Sequence, residues 1–395
     1  MGNTAKYFSR NYSNRYAINE ERMEYHIRYG EDDLFPQKLI WLFNHCSING
    51  ACIKAKTEAT IGNGLICDQD YILDYANPKE SWNDIYRKIA LDYNLFGGFA
   101  LEVIWSQDRT KIAEVYHVDF SFVRAQHKNH RGEVDAYYVS ALWNSSYGIA
   151  DIHKIPAYNP ENTVECPKQL LYHAPYRPGL EYYPLPDYMG AVRVIELDAE
   201  VDNFHVNNVR NGLAPSLAIT TFTDASSEEK EWIERALRAQ YAGSHNAGSL
   251  LYMDVPSQDQ APIITPIPAN GNDAYYEIMH KIMEQKILTG HRITSPMILG
   301  IKTEGQLGGR DEMMDAYLLF MNTVINPKQA DILGCLEKLL EVNYGDVTLG
   351  VETTQLFDDG SVETDVVVSN ESTQADSKDL EVQTITEQTT ETEVL

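Results

Sequence analysis

The feature that most constrains this chain is a set of three long segments of helical periodicity in its second half. Asp187 to about Arg210 places Val194, Leu197, Val201 and Phe204 on one stripe, bordered on both sides by Glu196, Asp198, Glu200 and Asp202. At 1.5 Å per residue such a helix is about 36 Å long, and Asn211-Gly212 supplies a left-handed stop. Asn272 to His291 carries a second stripe of Tyr275, Ile278, Met279, Ile282 and Met283. Arg310 to about Val342 predicts a third helix of about 50 Å. Asn326-Pro327 should kink or break it, because proline removes a helical donor and clashes with the preceding turn.

Shorter elements fill the rest. The first 30 or so residues are polar and rich in Asn, Tyr and Arg, and read as an arm. The spacing of Leu39, Ile40, Phe43, Cys46 and Ile53 predicts one helix over Gln37 to Lys56, followed by a strand around the tight turn Ile61 to Cys67. Trp82 to Leu95 is again helical, stopped by Gly97-Gly98. Strands are predicted at Phe99–Trp105, Lys111–Val118, Phe122–Gln126 and Val134–Leu142, with hairpin turns at Asp108-Arg109 and Arg131-Gly132. This half is therefore α+β with an antiparallel sheet. The Pro-rich stretch Pro175 to Pro186 marks a boundary. Between the first two long helices lies a small β-α-β unit. Its strands are Leu217–Phe222 and Ser249–Val255, and its helix, Glu228–Ala242, opens on the capping box Ser226-x-x-Glu229. Asp346–Phe357 and Ser361–Val368 around Asp358-Asp-Gly360 predict a hairpin. Ser369 to Leu395 holds seven acids, one lysine and no aromatics, the composition of a solvated tail.

Charge then limits the partners. The chain of 395 residues has 58 Asp+Glu against 32 Lys+Arg, a net −26. It will not wrap nucleic acid by neutralising phosphates over a broad face, nor cling to an anionic membrane. No apolar run reaches the roughly 20 residues of a membrane span. The start, Met1 to Tyr7, offers no secretory signal, and Lys6 stands where a myristoylation site needs Ser or Thr. Five cysteines without a C-x-x-C pair fit free thiols in a reducing cytoplasm.

Motifs of catalysis are missing. Gly300-x4-Gly305 resembles the start of a P-loop, but Gln306-Leu307 stands where Lys and Ser/Thr must reach phosphate and magnesium. Gly62-Asn-Gly64 lacks the third glycine of a dinucleotide fingerprint, His127-x-x-His130 sits in a polar turn, and Cys46 and Cys52 read as two buried positions of one helix. No metal or cofactor site is read, and no enzyme. Six of the ten methionines fall between positions 279 and 321, where they serve as core filler or as a surface that must repack. The acidic helix 187–210 reads equally as an ordinary amphipathic helix with its charges in water.

The order of these pieces is familiar. The long helix ending in Arg210-Asn-Gly-Leu-Ala-Pro215, the capped helix, Ala242 to Tyr252, Ile293-Thr-Ser-Pro-Met-Ile-Leu-Gly300 and the Gly-rich loop running into Phe320-Met-Asn-Thr-Val-Ile-Asn-Pro327 follow one another over about 145 residues. This succession resembles the portal proteins of tailed bacteriophages, particularly the siphovirus-type family. Residues 37–173 are similar in outline to that family's wing. Pro184-Leu-Pro stands in place of the usual Gly-x-Ser-Pro, and the segment after Val342 implies a crown reduced or replaced by the hairpin and tail.

The resemblance implies a division of the chain. After an arm over 1–36 come an α+β wing over 37–186, a stem helix over 187–211, a clip over 212–270 and a second stem helix over 271–292. A tunnel loop over 293–309 and a long kinked helix over 310–345 returning to the wing follow. It also implies a ring, of twelve copies in this family, at one capsid vertex of the virion, assembled in the host bacterial cytoplasm. Duplex DNA would pass non-specifically, without a cofactor, and the partners would be the terminase motor, a head-tail adaptor and the major capsid protein, with no membrane. Candidate channel-lining residues are Glu196, Asp198, Glu200 and Asp202, and candidate tunnel-loop residues are Thr294, Lys302, Gly305, Gly308, Gly309 and Arg310. The bland alternative for Lys302 and Arg310 is ordinary loop and helix-start charge. Another oligomeric virion component, such as an adaptor or tail-assembly protein using these helices only for packing, is the competing reading.

Overall fold

The computed structural model describes residues 20–143, 152–211, 217–221, 231–232, 235, 250–254, 273–293, 295–300 and 310–353. The predicted helix over 37–56 is two helices, α1 (Phe35–His45) and α2 (Ser47–Ile61). Cys46 between them is extended, at φ −104° and ψ 111°. Gly50 permits the tight corner, since a Cβ there would lie 2.7 Å from the Phe43 carbonyl oxygen. Helix α3 (Trp82–Phe96) has a capping box between Ser81 and Asp84 and ends at Gly97, φ 85°.

Two three-stranded antiparallel sheets replace the single sheet expected. In the first, β2 (Phe99–Trp105) lies between β3 (Ile112–Val118) and β7 (Lys168–His173). In the second, β5 (Ala136–Val139) lies between β4 (Val123–Ala125) and β6 (His153–Pro156). A pair joins β1 (Gly64–Cys67) to β10 (Leu349–Glu352), which lies within the predicted strand 346–357, with Leu65 opposite Val351. The other half of the predicted hairpin, 361–368, and the tail 369–395 lie outside the described residues.

The first long helix is α4 (Val192–Asn211), entered through a short 3-10 turn over Met189–Ala191 rather than directly at Asp187. Strands β8 (Leu217–Thr221) and β9 (Leu250–Asp254) pair in parallel, as a β-α-β crossover requires. The second long helix is α5 (Asp273–Gly290). The third is interrupted as the proline dictates: α6 (Arg310–Phe320), a π-turn over Met321–Ile325, and α7 (Asn326–Tyr344), with Pro327 in the first turn of α7.

Three apolar clusters hold this together. One joins α1, the end of α3, the β4–β5–β6 sheet, the start of α4 and Ile287 of α5. A second packs the other face of α3 and Phe99, Leu101, Val103 and Trp105 of β2 against Ile332, Leu333, Leu336, Leu339 and Leu340 of α7. The third lies under the π-turn, where Phe320, Met321, Val324 and Ile325 meet Cys52, Leu288 and Ile293. Met283 and Met321 are buried filler, while Met279, Met297, Met313 and Met314 are half-buried.

Candidate functional site

The ends of α4, α5 and the π-turn meet at one polar junction, and their lengths run away from it. Lys56 on α2 is wholly buried, and its Nζ lies 2.7 and 3.0 Å from the two carboxylate oxygens of Asp187, just ahead of α4. Lys328 of α7 reaches the same carboxylate at 2.7 Å and donates to Asn94 Oδ1 at 2.7 Å. Burial opposes the Asp187 charge, but the Lys56 and Lys328 ammoniums outweigh it and hold the carboxyl far below its ordinary value. Burial, and then the Lys56 charge, bring Lys328 down to about 7. At the end of α5, His291 stacks on Tyr188 with centroids 4.4 Å apart and bonds Asn49 Oδ1 at 2.9 Å. Gly290 lets the two stem candidates touch here, because a Cβ on it would lie 2.3 Å from the Ala191 Cβ.

The proline leaves a signature one turn back. Pro327 has no N–H to give the carbonyl four residues earlier, that of Thr323, and Arg292 Nη2 donates to that oxygen at 3.0 Å. Arg292 holds φ 59°, the left-handed region a non-glycine residue seldom adopts. Beyond it Ser295 Oγ accepts from Met297 N–H, the 3-10 turn Pro296–Leu299 follows, and Gly300 closes it at φ 75°. The motif Ser-Pro-Met-Ile-Leu-Gly is thus a capped turn delivering the chain to the glycine-rich segment.

Along α4 the predicted stripe is split: Val194 packs against the first apolar cluster and Val201 is half-buried. The inner face is Val192, Ile195, Asp198 and Ala199, whereas Leu197 and Phe204 are 46% and 49% exposed. Val206 on α4, Ile278 and Ile282 on α5, and Leu318 and Leu319 on α6 are likewise exposed. All three long helices therefore carry large apolar side chains that stay about half exposed in the single chain.

The four candidate acids separate. Asp198 is 1% exposed, accepts from Cys46 Sγ at 3.2 Å and lies 3.4 Å from His280 Nδ1, so it presents nothing outward. Burial raises its carboxyl above the ordinary range. Glu196 is ion-paired with Lys38 on α1. Glu200 is exposed and Asp202 half-buried. Of the loop candidates, Thr294, Lys302, Gly305, Gly308 and Gly309 lie outside the described residues, and Arg310 opens α6. Sequence reasoning missed the Lys56–Asp187–Lys328 junction altogether, since its members lie 131 positions or more apart and carry no local pattern. Among the described residues no cluster of His, Cys, Asp and Glu could hold a metal, and no helix is long and apolar enough to cross a membrane.

No protein-family model matches the chain, and no curated protein matches its sequence. Solved structures do. A chain in the virion of the native gene transfer agent (GTA) particle superposes with a TM-score of 0.52 at 14% identity, over 83% of this chain and 86% of that one. A chain of the neck of the native GTA particle, computed with C12 symmetry, gives 0.52 at 15% identity over 82% and 85%. An HK97 family phage portal protein from Corynebacterium diphtheriae aligns over 78% of this chain and 92% of its own, at 10% identity and a TM-score of 0.41. At these identities the two GTA likenesses establish a shared fold.

Proposed function

We propose that this chain is a portal protein of the tailed-phage type, twelve copies of which close into a ring at one capsid vertex and form the conduit for the genome. The observation that carries the proposal is the set of half-exposed large apolar side chains along α4, α5 and α6, among them Leu197, Ile278, Leu318 and Leu319, in a chain that shares its fold with a component of a twelve-fold particle neck. Such side chains on three long helices call for a neighbour, and heterologous contacts repeated by a closing rotation supply one to every subunit. In this reading α4 and α5 are the stem, β8 and β9 belong to the clip, and the segment from Ile293 to Gly309 is the tunnel loop.

The conduit follows from charge. Duplex DNA passing a cation-rich wall would bind at every step, whereas an acidic wall keeps it centred and mobile. In this reading Glu200, exposed, and Asp202, half-buried, are the acids of α4 that line the wall, with Glu196 contributing a charge already shared with Lys38. The chain acts as structure and docking ring, serving the terminase motor during packaging and a head-tail adaptor afterwards, and the nucleotide chemistry belongs to the terminase.

Negative-stain imaging of the purified protein tests the ring. Closed rings with a central hole wide enough for duplex DNA support the proposal, and a monodisperse monomer or dimer at every concentration overturns it. The double variant Glu200→Gln, Asp202→Gln tests the wall: slower DNA passage is expected, and unchanged passage refutes the charge argument.

A further inference from the structure

The junction borders a cleft of about 160 Å³ whose charge balance is incomplete. Three cations line it, Arg177, Arg292 and Lys328, against the single carboxylate of Asp187, and that carboxylate is already shared between Lys328 and the buried Lys56. Arg177 comes from the Pro-rich segment after β7. Among the described residues its guanidinium makes neither a hydrogen bond nor an ion pair. Its charge is nevertheless felt inside the cleft. Burial and the Asp331 carboxylate hold the Tyr93 hydroxyl well above its ordinary value, and Arg177 is the group that works against them. Arg292 spends one nitrogen on the Thr323 carbonyl and keeps further N–H groups available. A positive cleft of this kind stands out in a chain of net charge −26.

We propose that this cleft is a binding site for a small tetrahedral oxyanion, phosphate or sulfate, held by Arg177, Arg292 and Lys328 where the Pro-rich segment, the end of α5 and the π-turn converge. Two guanidiniums and an ammonium offer N–H donors to such an ion, the combination that gives short charge-assisted bonds. The volume admits the ion with a few waters. The bound ion would neutralise the excess positive charge at the junction and tie Arg177 and Arg292 to Lys328, fixing the π-turn relative to α5. Nothing in this depends on ring formation.

The test is calorimetric titration of the full chain with inorganic phosphate and, separately, sodium sulfate, against sodium chloride at matched ionic strength. It is run at about pH 6.5, below the value of about 7 to which burial and Lys56 bring Lys328. Saturable binding of one phosphate or sulfate per chain, not reproduced by chloride, is expected. Arg177→Gln removes a guanidinium with no structural partner, so its unfolding in chloride should match the parent protein while its affinity falls about tenfold or more. Lys328→Met should lower affinity similarly, and if it fails to fold, Arg177→Gln decides alone. No saturable binding above chloride overturns the site, and so does undiminished affinity in Arg177→Gln.

Discussion

Replacing Asp187 by Asn should be among the most damaging single-atom-scale changes in the molecule. The carboxylate is the common partner of Lys56, whose side chain is 0% exposed, and of Lys328 at 11%. Asn keeps the shape and removes the charge; Lys328, already brought down to about 7 with Asp187 in place, then gives up its proton at neutral pH, and Lys56 is left as a buried ammonium with no counter-ion. Removing one partner from a buried ion pair costs about 3–5 kcal/mol, because the remaining charge is stranded. Lys328→Met is the informative contrast. It leaves Lys56 and Asp187 balanced, loses the hydrogen bonds to Asn94 and Asp187, and relieves the repulsion between ammoniums, for a net cost of about 1–2 kcal/mol. The order of the two, Asp187→Asn far below Lys328→Met in stability, reports the charge count.

The same cluster fixes a pH dependence. An unfolded lysine keeps its proton to about 10.5, whereas Lys328 in the folded chain releases it near 7. Between those values the unfolded chain binds more protons, so stability rises with pH, by something on the order of 3–5 kcal/mol over the whole window. Asp187 acts at the other end: its lowered carboxyl contributes stability above the ordinary carboxylate value that is lost as pH falls. Urea unfolding followed by circular dichroism at a series of pH values measures both. The difference between the parent protein and Lys328→Met should widen steadily above neutral pH. The reasoning is wrong if Asp187→Asn costs no more than Lys328→Met, or if Lys328→Met retains the full rise between neutral and alkaline pH.

Three further outcomes follow from single side chains. Ile278→Asp changes an exposed residue, so the chain's own stability should move by no more than about 0.5 kcal/mol while formation of the proposed ring, seen by sedimentation or imaging, is abolished. Asp198→Asn relieves a buried carboxylate whose raised value makes its charged form a liability at neutral pH; the variant should match or exceed the parent protein in denaturant at pH near 7, with the difference disappearing as the pH falls to the ordinary carboxylate range. Gly97→Ala should destabilise far more than Gly132→Ala: both glycines have positive φ, but a Cβ at 97 would sit 2.3 Å from the Leu185 carbonyl oxygen and one at 132 meets nothing within 4 Å, so about 1 kcal/mol is expected for the second and several for the first by thermal unfolding.

What could be read from the sequence was whatever is encoded locally. Helix α3 and strands β2 and β3 follow from periodicity and from Gly97, and Pro327 marks the interruption of the third long helix within a few residues. The break at Cys46 was not readable, because the apolar spacing runs straight through it and the corner depends on Gly50 meeting Phe43. The pairing of β1 with β10 joins strands separated by most of the described chain, and no local pattern carries register over that distance. Strand β6 ends on Pro156 and β7 follows Pro167, and both are too polar at their ends to declare themselves. On α4 the buried face is made by Val192, Ile195, Asp198 and Ala199, one of them a carboxylate, so apolar spacing alone could not separate it from Leu197 and Phe204, which stay half-exposed. A stripe in sequence tells that something apolar must be covered, not by which chain.

That last point separates two kinds of stabilisation in the long helices. Their near ends are fixed within the protomer by directional contacts: Lys56 and Lys328 on Asp187, Arg292 on Thr323, His291 on Asn49 and Tyr188, and the close approach of Gly290 to Ala191. Such contacts are lost abruptly when geometry shifts, because each depends on distance and angle. Their flanks carry Leu197, Phe204, Ile278, Ile282, Leu318 and Leu319, whose burial is non-directional and tolerates sliding. A subunit built this way holds its helices rigidly at the base and offers a forgiving surface along their length. In the proposed ring, neighbours would then adjust against one another without disturbing the fold. Placing the orphan Thr323 carbonyl and the π-turn at the base, where Arg292 satisfies them, keeps the one irregular turn of the third helix under the control of the junction rather than of the neighbour.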